Sequence, residues 1–109
     1  MAWTVYGNNI GMAVGDFGVK LPSKIKNITA GAQDTFRFTF SDGVGGNEIL
    51  IKEYTGISNN TIQLEFTAAE SALFDVGHYV YALDWYQSGV FMDNIVRFAE
   101  FNVYKKAAR

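Results

Sequence analysis

A short stretch of alternating polar and aromatic residues constrains the fold more than any other part of this sequence. Residues 35–41 read TFRFTFS, which places Phe36, Phe38 and Phe40 at every second position. Because successive side chains of a β-strand point to opposite faces, this pattern predicts a strand with one aromatic, buried face and one polar face. The sequence therefore predicts a sheet whose inner surface is rich in phenylalanine.

The segments that follow predict further strands of the same kind. Residues 42–47 (DGVGGN) form a turn-rich stretch, and residues 48–54 are predicted to return from it as the second strand of a hairpin. Residues 61–66 alternate again. Their inward positions are Ile62, Leu64 and Phe66.

The last third of the chain is also predicted to be extended. Residues 78–86 are rich in β-forming residues and are predicted to form a central strand. This strand is expected to pair with residues 90–92 across a loop in which Gly89 takes the left-handed position. Residues 97–104 are predicted to form the closing strand. Its inward positions are Ala99, Phe101 and Val103.

One short helix interrupts the strands. Thr67 and Glu70 have the spacing of a capping box, in which each side chain bonds a free backbone N–H near the start of a helix. Only a few residues separate Thr67 from Gly77, so the helix is limited to one or two turns near residues 68–74. We expect Leu73 or Phe74 to lie beneath the sheet.

The whole chain is predicted to be one domain, because 109 residues support a single core. Residues 1–27, broken by glycines and Pro22, are expected to form one or two edge strands with irregular connections. Residues 28–104 are predicted to form the core sandwich, and residues 105–109 are predicted to form a basic tail. The fold class is all-β: an immunoglobulin-like antiparallel β-sandwich or an open barrel with one helical turn.

Charge and composition exclude several classes of partner. The net charge is −2, and clustered basic residues occur only in the tail, at Lys105, Lys106 and Arg109, so a nucleic-acid-binding face is not expected. No run of 18 apolar residues exists, and no signal peptide pattern precedes residue 30, so we expect no membrane span and synthesis in the cytoplasm. The chain contains no cysteine.

Residues suited to catalysis or metal binding are sparse. His78 is the sole histidine and has no second histidine or cysteine at ligand spacing, so we interpret it as structural. Asp84 and Asp93 flank the predicted hairpin at similar distances and could bind a cation or act as a glycosidase pair. Polar loops commonly carry such residues for solubility alone. We predict no catalytic, cofactor-binding or metal-binding residues.

Aromatic residues are the stronger candidates for a functional surface. Trp85 and Tyr86 are adjacent in a predicted strand, so at least one of them points away from the core. With Phe91 and Met92, and with Trp3 and Tyr6 near the amino terminus, they form the predicted interface or ligand-contact set. The alternative is that another part of the same chain covers this second face.

Three segments carry a resemblance to a known family. Residues 29–40 (TAGAQDTFRFTF), 67–73 (TAAESAL) and 76–85 (VGHYVYALDW) resemble the N-terminal domain of baseplate upper proteins from tailed bacteriophages and prophages. The likeness covers residues 28–104. It implies a non-enzymatic virion component that binds itself or other tail proteins, is incorporated into a phage particle and has no catalytic residues.

Together these features predict a structural assembly protein that forms homo-oligomers. Neither a cofactor nor a small-molecule ligand is expected. One alternative is a carbohydrate-binding module in which Trp85 or Tyr86 stacks on a sugar while Asp84 or Asp93 accepts its hydroxyls. Another is a small hydrolase, which requires Asp84 and Asp93 to share one pocket within about 10 Å.

Overall fold

The computed structural model describes residues 3–105, so Lys106 and Arg109 of the predicted basic tail lie outside the described residues. Within that range the chain forms eight strands and one helix. In chain order these are β1 (Trp3–Tyr6), β2 (Asn9–Ala13), β3 (Leu21–Lys24), β4 (Asp34–Ser41), β5 (Glu48–Thr55), β6 (Thr61–Leu64), α1 (Ala68–Ser71), β7 (Gly77–Gln87) and β8 (Val90–Tyr104).

Two sheets of unequal size make up the fold. The larger sheet has six strands in the order β1-β2-β8-β7-β4-β5, and the smaller sheet pairs β3 with β6. All neighbours are antiparallel except β2 and β8, which run parallel with Ile10 opposite Phe101. The predicted all-β, sandwich-like fold with one short helix is confirmed.

The core lies between the two sheets and is dominated by aromatic rings. Phe36, Phe38 and Phe40 are buried, as their alternation predicted. The Phe40 ring lies 5.1 Å from Phe101 and 5.3 Å from Phe66, both in edge-to-face geometry, which the quadrupoles of aromatic rings favour. Phenylalanines from the large sheet and from the segment after β6 are thus locked into one cluster.

The β7–β8 hairpin is the longest feature of the large sheet. Its two-residue turn has positive φ at both Ser88 (49°) and Gly89 (81°), which suits the twist of the flanking strands. The segments predicted separately at residues 90–92 and 97–104 belong to one continuous strand, which corrects the sequence expectation. Local alternation misses this continuity because the β7–β8 pairing shifts register at three places, each of which breaks the two-residue period.

The capping box predicted at the start of α1 is confirmed. The Glu70 backbone N–H donates to the Thr67 hydroxyl at 3.1 Å, and the Thr67 N–H donates to the Glu70 carboxylate at 2.9 Å. Lys52 of β5 also donates to Glu70, at 2.8 Å. Phe74 is buried after the helix, whereas Leu73 is exposed, so Phe74 is the residue beneath the sheet.

The amino-terminal segment is more regular than predicted. β1 is an edge strand of the large sheet and β3 one of the small sheet, as predicted, but β2 lies inside the large sheet, between β1 and β8. A Cβ atom at Gly11 of β2 would approach the Thr4 hydroxyl within 2.7 Å and the Tyr104 hydroxyl within 2.9 Å, so a larger residue there would force these side chains to shift. Trp3, Met12 and other residues of this segment are buried in the same core as the rest of the chain. Among the described residues, no helix is long and apolar enough to cross a membrane.

Candidate functional site

The register of β7 against β4 decides which aromatic residue faces solvent. Trp85 is opposite Phe36, whose ring is buried in the core, whereas Tyr86 is opposite Thr35 on the outer face. Trp85 therefore points inward and Tyr86 outward. The pair divides between the two faces of the sheet, as adjacent residues in a strand must.

Trp85 is fixed at the margin of the core by a buried carboxylate. Its indole Nε1 donates to Asp34 Oδ1 at 2.9 Å, and the side chain is half-buried. Asp34 also accepts hydrogen bonds from the Gly31 backbone N–H at 2.7 Å and from Gln87 Nε2 at 3.2 Å. The Gly31 bond, followed by that of Trp85, holds the pKa of Asp34 below its usual value despite burial. Trp85 is thus held on the inner side of the large sheet by this hydrogen bond.

Tyr86 belongs to a row of side chains that crosses four strands on the outer face. The guanidinium carbon of Arg37 lies 4.4 Å from the centre of the Tyr86 ring, and Arg37 Nη1 donates to the Tyr86 hydroxyl at 3.0 Å. Glu53 of β5 accepts from Arg37 Nε at 2.6 Å and raises the pKa of Arg37. On the other side, the Phe91 ring meets Tyr86 edge-on at 5.6 Å. Tyr86 is therefore held in one orientation.

Beside this row, apolar side chains are open to solvent at the end of the β7–β8 hairpin. Phe91 is 51% exposed and Met92 is 43% exposed. We name Tyr86, Phe91 and Met92 the hairpin patch. Phe98, 52% exposed, lies farther along β8 and was not among the predicted contact residues, although its alternation with Ala99 indicated the outer face.

The two amino-terminal candidates do not join this patch. Trp3 is only 4% exposed, packs edge-on against Phe66 at 5.5 Å and donates its indole N–H to the Val19 carbonyl at 2.7 Å. Its prediction as a surface residue is corrected, because the first strand lies across the core. Tyr6 is 85% exposed, but β2 and β8 separate its strand from β7.

Asp84 and Asp93 do not form a pair. Asp93 is opposite Trp85, so it points to the same face as Trp85, and Asp84 points to the other. Asp84 accepts a hydrogen bond from Asn94 Nδ2 at 2.5 Å, and Asp93 accepts one from the Asn94 backbone N–H at 2.8 Å. His78 contacts Asn102 at 2.7 Å. Between residues 3 and 105 no three histidine or acidic side chains are grouped to hold a metal ion.

A cleft of about 490 Å³ opens on the core side of the large sheet. It lies between the β1–β2 turn, β3 with the loop after it, and the inner face of β7 and β8, and we name it the lateral cleft. The Tyr81 hydroxyl, in its wall, donates to the Asn8 carbonyl, and burial raises the pKa of Tyr81 to about 12. The sequence offered no signal for this cleft, because its walls come from distant segments.

No family model, curated protein or solved structure matches this chain. The proposed function is therefore based on the fold and on the geometry of the surface residues.

Proposed function

We propose that this chain is a non-enzymatic assembly protein that binds a second copy of itself, and then other subunits, through the hairpin patch. The observation that carries the proposal is the exposure of Phe91 beside the ordered Tyr86 on the outer sheet face, with the exposed Met92 next to it in β8. The small sheet packs on the opposite face of the large sheet, so no element within the described range covers this one. Exposed apolar side chains in such a position are typical of protein interfaces.

The chemistry of the hairpin patch suits a protein partner. Aromatic residues, methionine and arginine are enriched in interfaces, and Tyr86, Phe91, Met92 and Arg37 supply all of these types. Because Arg37 and Glu53 already fix the Tyr86 ring, little side-chain freedom is lost when a partner binds. The carbohydrate alternative has less support, since Arg37 covers one face of Tyr86 and Trp85 is half-buried against Asp34.

The exposed part of Phe91 is large enough to drive weak association. A phenylalanine presents about 200 Å² of surface, so 51% exposure leaves about 100 Å² to bury. At about 25 cal/mol per Å², burying it contributes about 2.5 kcal/mol. In a two-fold symmetric dimer both copies contribute, or about 5 kcal/mol in all, which corresponds to a factor of several thousand in Kd.

The proposed phage assignment rests on the resemblance of three sequence segments to the N-terminal domain of baseplate upper proteins. In the fold, residues 29–40, 67–73 and 76–85 supply most of β4, α1 and most of β7. On that resemblance the protein is proposed to be a tail or baseplate-type component of a phage or prophage, made in the bacterial cytoplasm and incorporated into the particle. Asp84 and Asp93 point to opposite faces of the sheet, so they cannot act together on one substrate, and this supports a non-enzymatic role.

Size-exclusion chromatography with light scattering, from low to high micromolar concentration, tests the proposal. The unmodified protein is expected to shift from monomer toward dimer, and Phe91→Ser is expected to raise the dimer Kd at least about 100-fold. Leu73→Ser is the matched control, because Leu73 is equally exposed at 51% but lies near α1, and its Kd should not change. A strictly monomeric protein at high micromolar concentration, or equal effects of both variants, would contradict the proposal.

A further inference from the structure

The lateral cleft has the size and lining of a small-molecule site. Its volume of about 490 Å³ falls within the range of about 300–1,000 Å³ that is usual for ligand pockets. Half-buried Leu21, Ile95 and Val96 present apolar surface to it, above the buried Phe38 and Leu83. An aliphatic or aromatic group entering the cleft would therefore meet hydrocarbon.

A β-bulge turns two consecutive side chains toward this cleft. Leu83 is opposite Val96 while Asp84 is opposite Asn94, so Ile95 is an extra residue in β8. In a regular strand Ile95 and Val96 would point to opposite faces, yet both pack against the buried core and both line the lateral cleft. Bulges re-aim side chains in this way beside functional sites. The local irregularity enlarges the apolar lining.

The rim of the cleft is positively charged, although the whole chain is net negative. Lys24 and Lys26 line it, and no acidic residue is among its lining side chains in the described structure. Neither ammonium group makes a hydrogen bond or an ion pair within residues 3–105, where the ion-paired cations are Arg37 and Lys52, so each ammonium group is available to a ligand. With a net charge of −2 for the chain, this local excess of positive charge favours an anionic head group.

The loop that carries Lys26 is held in place by Asn60. The Asn60 side chain donates to the Ile28 carbonyl at 2.5 Å and accepts from the Ala30 N–H at 2.8 Å. The Ile25 backbone N–H donates to the Asn60 carbonyl at 2.7 Å. The rim is therefore preformed, which lowers the cost of ordering it around a ligand.

We propose that the lateral cleft binds a small anionic amphiphile, with its aliphatic chain against Leu21, Ile95 and Val96 and its negative head group between Lys24 and Lys26. The sequence alone favoured no small-molecule ligand, because these residues come together only in the folded chain. This binding site is separate from the hairpin patch. Its presence does not depend on self-association.

The strand edges beside the cleft argue against an extended peptide as its occupant. Peptides commonly bind to a sheet by adding a strand to a free edge. On the β3 side the edge carries Pro22, which lacks an N–H, and Lys24, and both are residues that discourage strand addition. On the β8 side three register shifts break the regular spacing that a partner strand would need. A compact amphiphile needs no such edge.

Isothermal titration calorimetry with decanoate tests the proposal on the full chain. Decanoate is expected to bind at one saturable site, at least about tenfold more tightly than decyltrimethylammonium, which has the same chain and the opposite charge. Acetate, which has the head group alone, should show no measurable binding. Equal affinity for the cation and the anion, or tighter binding of an acidic peptide of alternating valine and glutamate, would overturn the proposal.

Three variants locate the site. Ile95→Asp places a carboxylate on the apolar wall and is expected to weaken decanoate binding at least about tenfold. Lys24→Glu and Lys26→Glu are each expected to weaken it by about three- to tenfold without changing the circular dichroism spectrum. Lys105→Glu is the control, because Lys105 lies outside the cleft, and its affinity should match that of the unmodified protein. If Ile95→Asp does not fold, the two lysine variants test the proposal alone. Unchanged decanoate affinity in both of them would refute the proposed site.

Discussion

Replacing Asp34 with alanine removes the carboxylate that fixes Trp85 and the loop before β4. Asp34 is the sole charged residue buried within residues 3–105. Its carboxylate accepts three hydrogen bonds, from Gly31, Trp85 and Gln87. We predict that Asp34→Ala is among the most destabilising single substitutions outside the aromatic core.

The magnitude follows from the donors that the substitution leaves without a partner. A donor left unsatisfied in a buried position costs about 1–3 kcal/mol, and the Trp85 indole N–H and the Gly31 N–H would both lose their acceptor. Water can reach Gly31, which is exposed, so its cost lies at the low end of that range. The free energy of unfolding should fall by about 3 kcal/mol. Asp34→Asn keeps one side-chain acceptor and should cost about 1–2 kcal/mol.

Urea denaturation followed by tryptophan fluorescence measures these differences at neutral pH. A second measurement uses pH, because the pKa of Asp34 is held below its ordinary value of about 3.9. A lowered pKa stabilises the folded state above the unfolded-state pKa, and this contribution is lost as the pH falls through the folded-state pKa. The stability difference between the unmodified protein and Asp34→Asn should therefore narrow below about pH 4.

Either of two results would refute this reasoning. The first is a change of less than about 1 kcal/mol in the free energy of unfolding on Asp34→Ala, which is below the cost of even one unsatisfied donor. Alternatively, the difference between the unmodified protein and Asp34→Asn could stay constant from pH 7 down to pH 3, which would show that the carboxylate charge contributes no stability.

Two further substitutions test the core and the helix cap. Phe40→Ala removes a fully buried ring that contacts five other aromatic rings, and it should lower the free energy of unfolding by about 3–5 kcal/mol in urea denaturation. A loss below about 1 kcal/mol would mean that the core repacks around the missing ring. Thr67→Ala removes the hydroxyl that accepts the Glu70 N–H, and should cost about 1 kcal/mol. Thr67→Ser should restore most of the stability in thermal denaturation, and no restoration would contradict the capping role.

Features that depend on neighbours in the chain were predictable from the sequence. The inward positions of β4 follow from a two-residue period, and the start of α1 follows from two side chains three residues apart. The β7–β8 turn depends on backbone conformations that Gly89 adopts without strain. In each case the structure depends on interactions among a few adjacent residues, so the sequence pattern is enough to predict it.

Features that depend on distant residues were not predictable in this way. The parallel pairing of β2 with β8 joins Ile10 to Phe101, and nothing near either residue specifies its partner. The burial of Trp3 follows from that pairing, since β1 can lie across the core only after β2 has joined the large sheet. The extra residue at Ile95 is likewise visible only against the register of β7.

The unequal size of the two sheets is the physical reason that both candidate sites exist. Strands lie about 4.8 Å apart, so six strands span about 24 Å between the outermost axes, whereas the axes of β3 and β6 are separated by a single spacing. The small sheet therefore covers only part of the inner face, and the lateral cleft lies where it ends beside β3. The outer face has no covering sheet, so the hairpin patch stays exposed to solvent and can contact a partner.

Since the two sites lie on opposite faces, Phe91→Ser should leave decanoate binding unchanged, and Lys24→Glu should leave self-association unchanged. Loss of both properties in either variant would mean that the faces are coupled through the sheet.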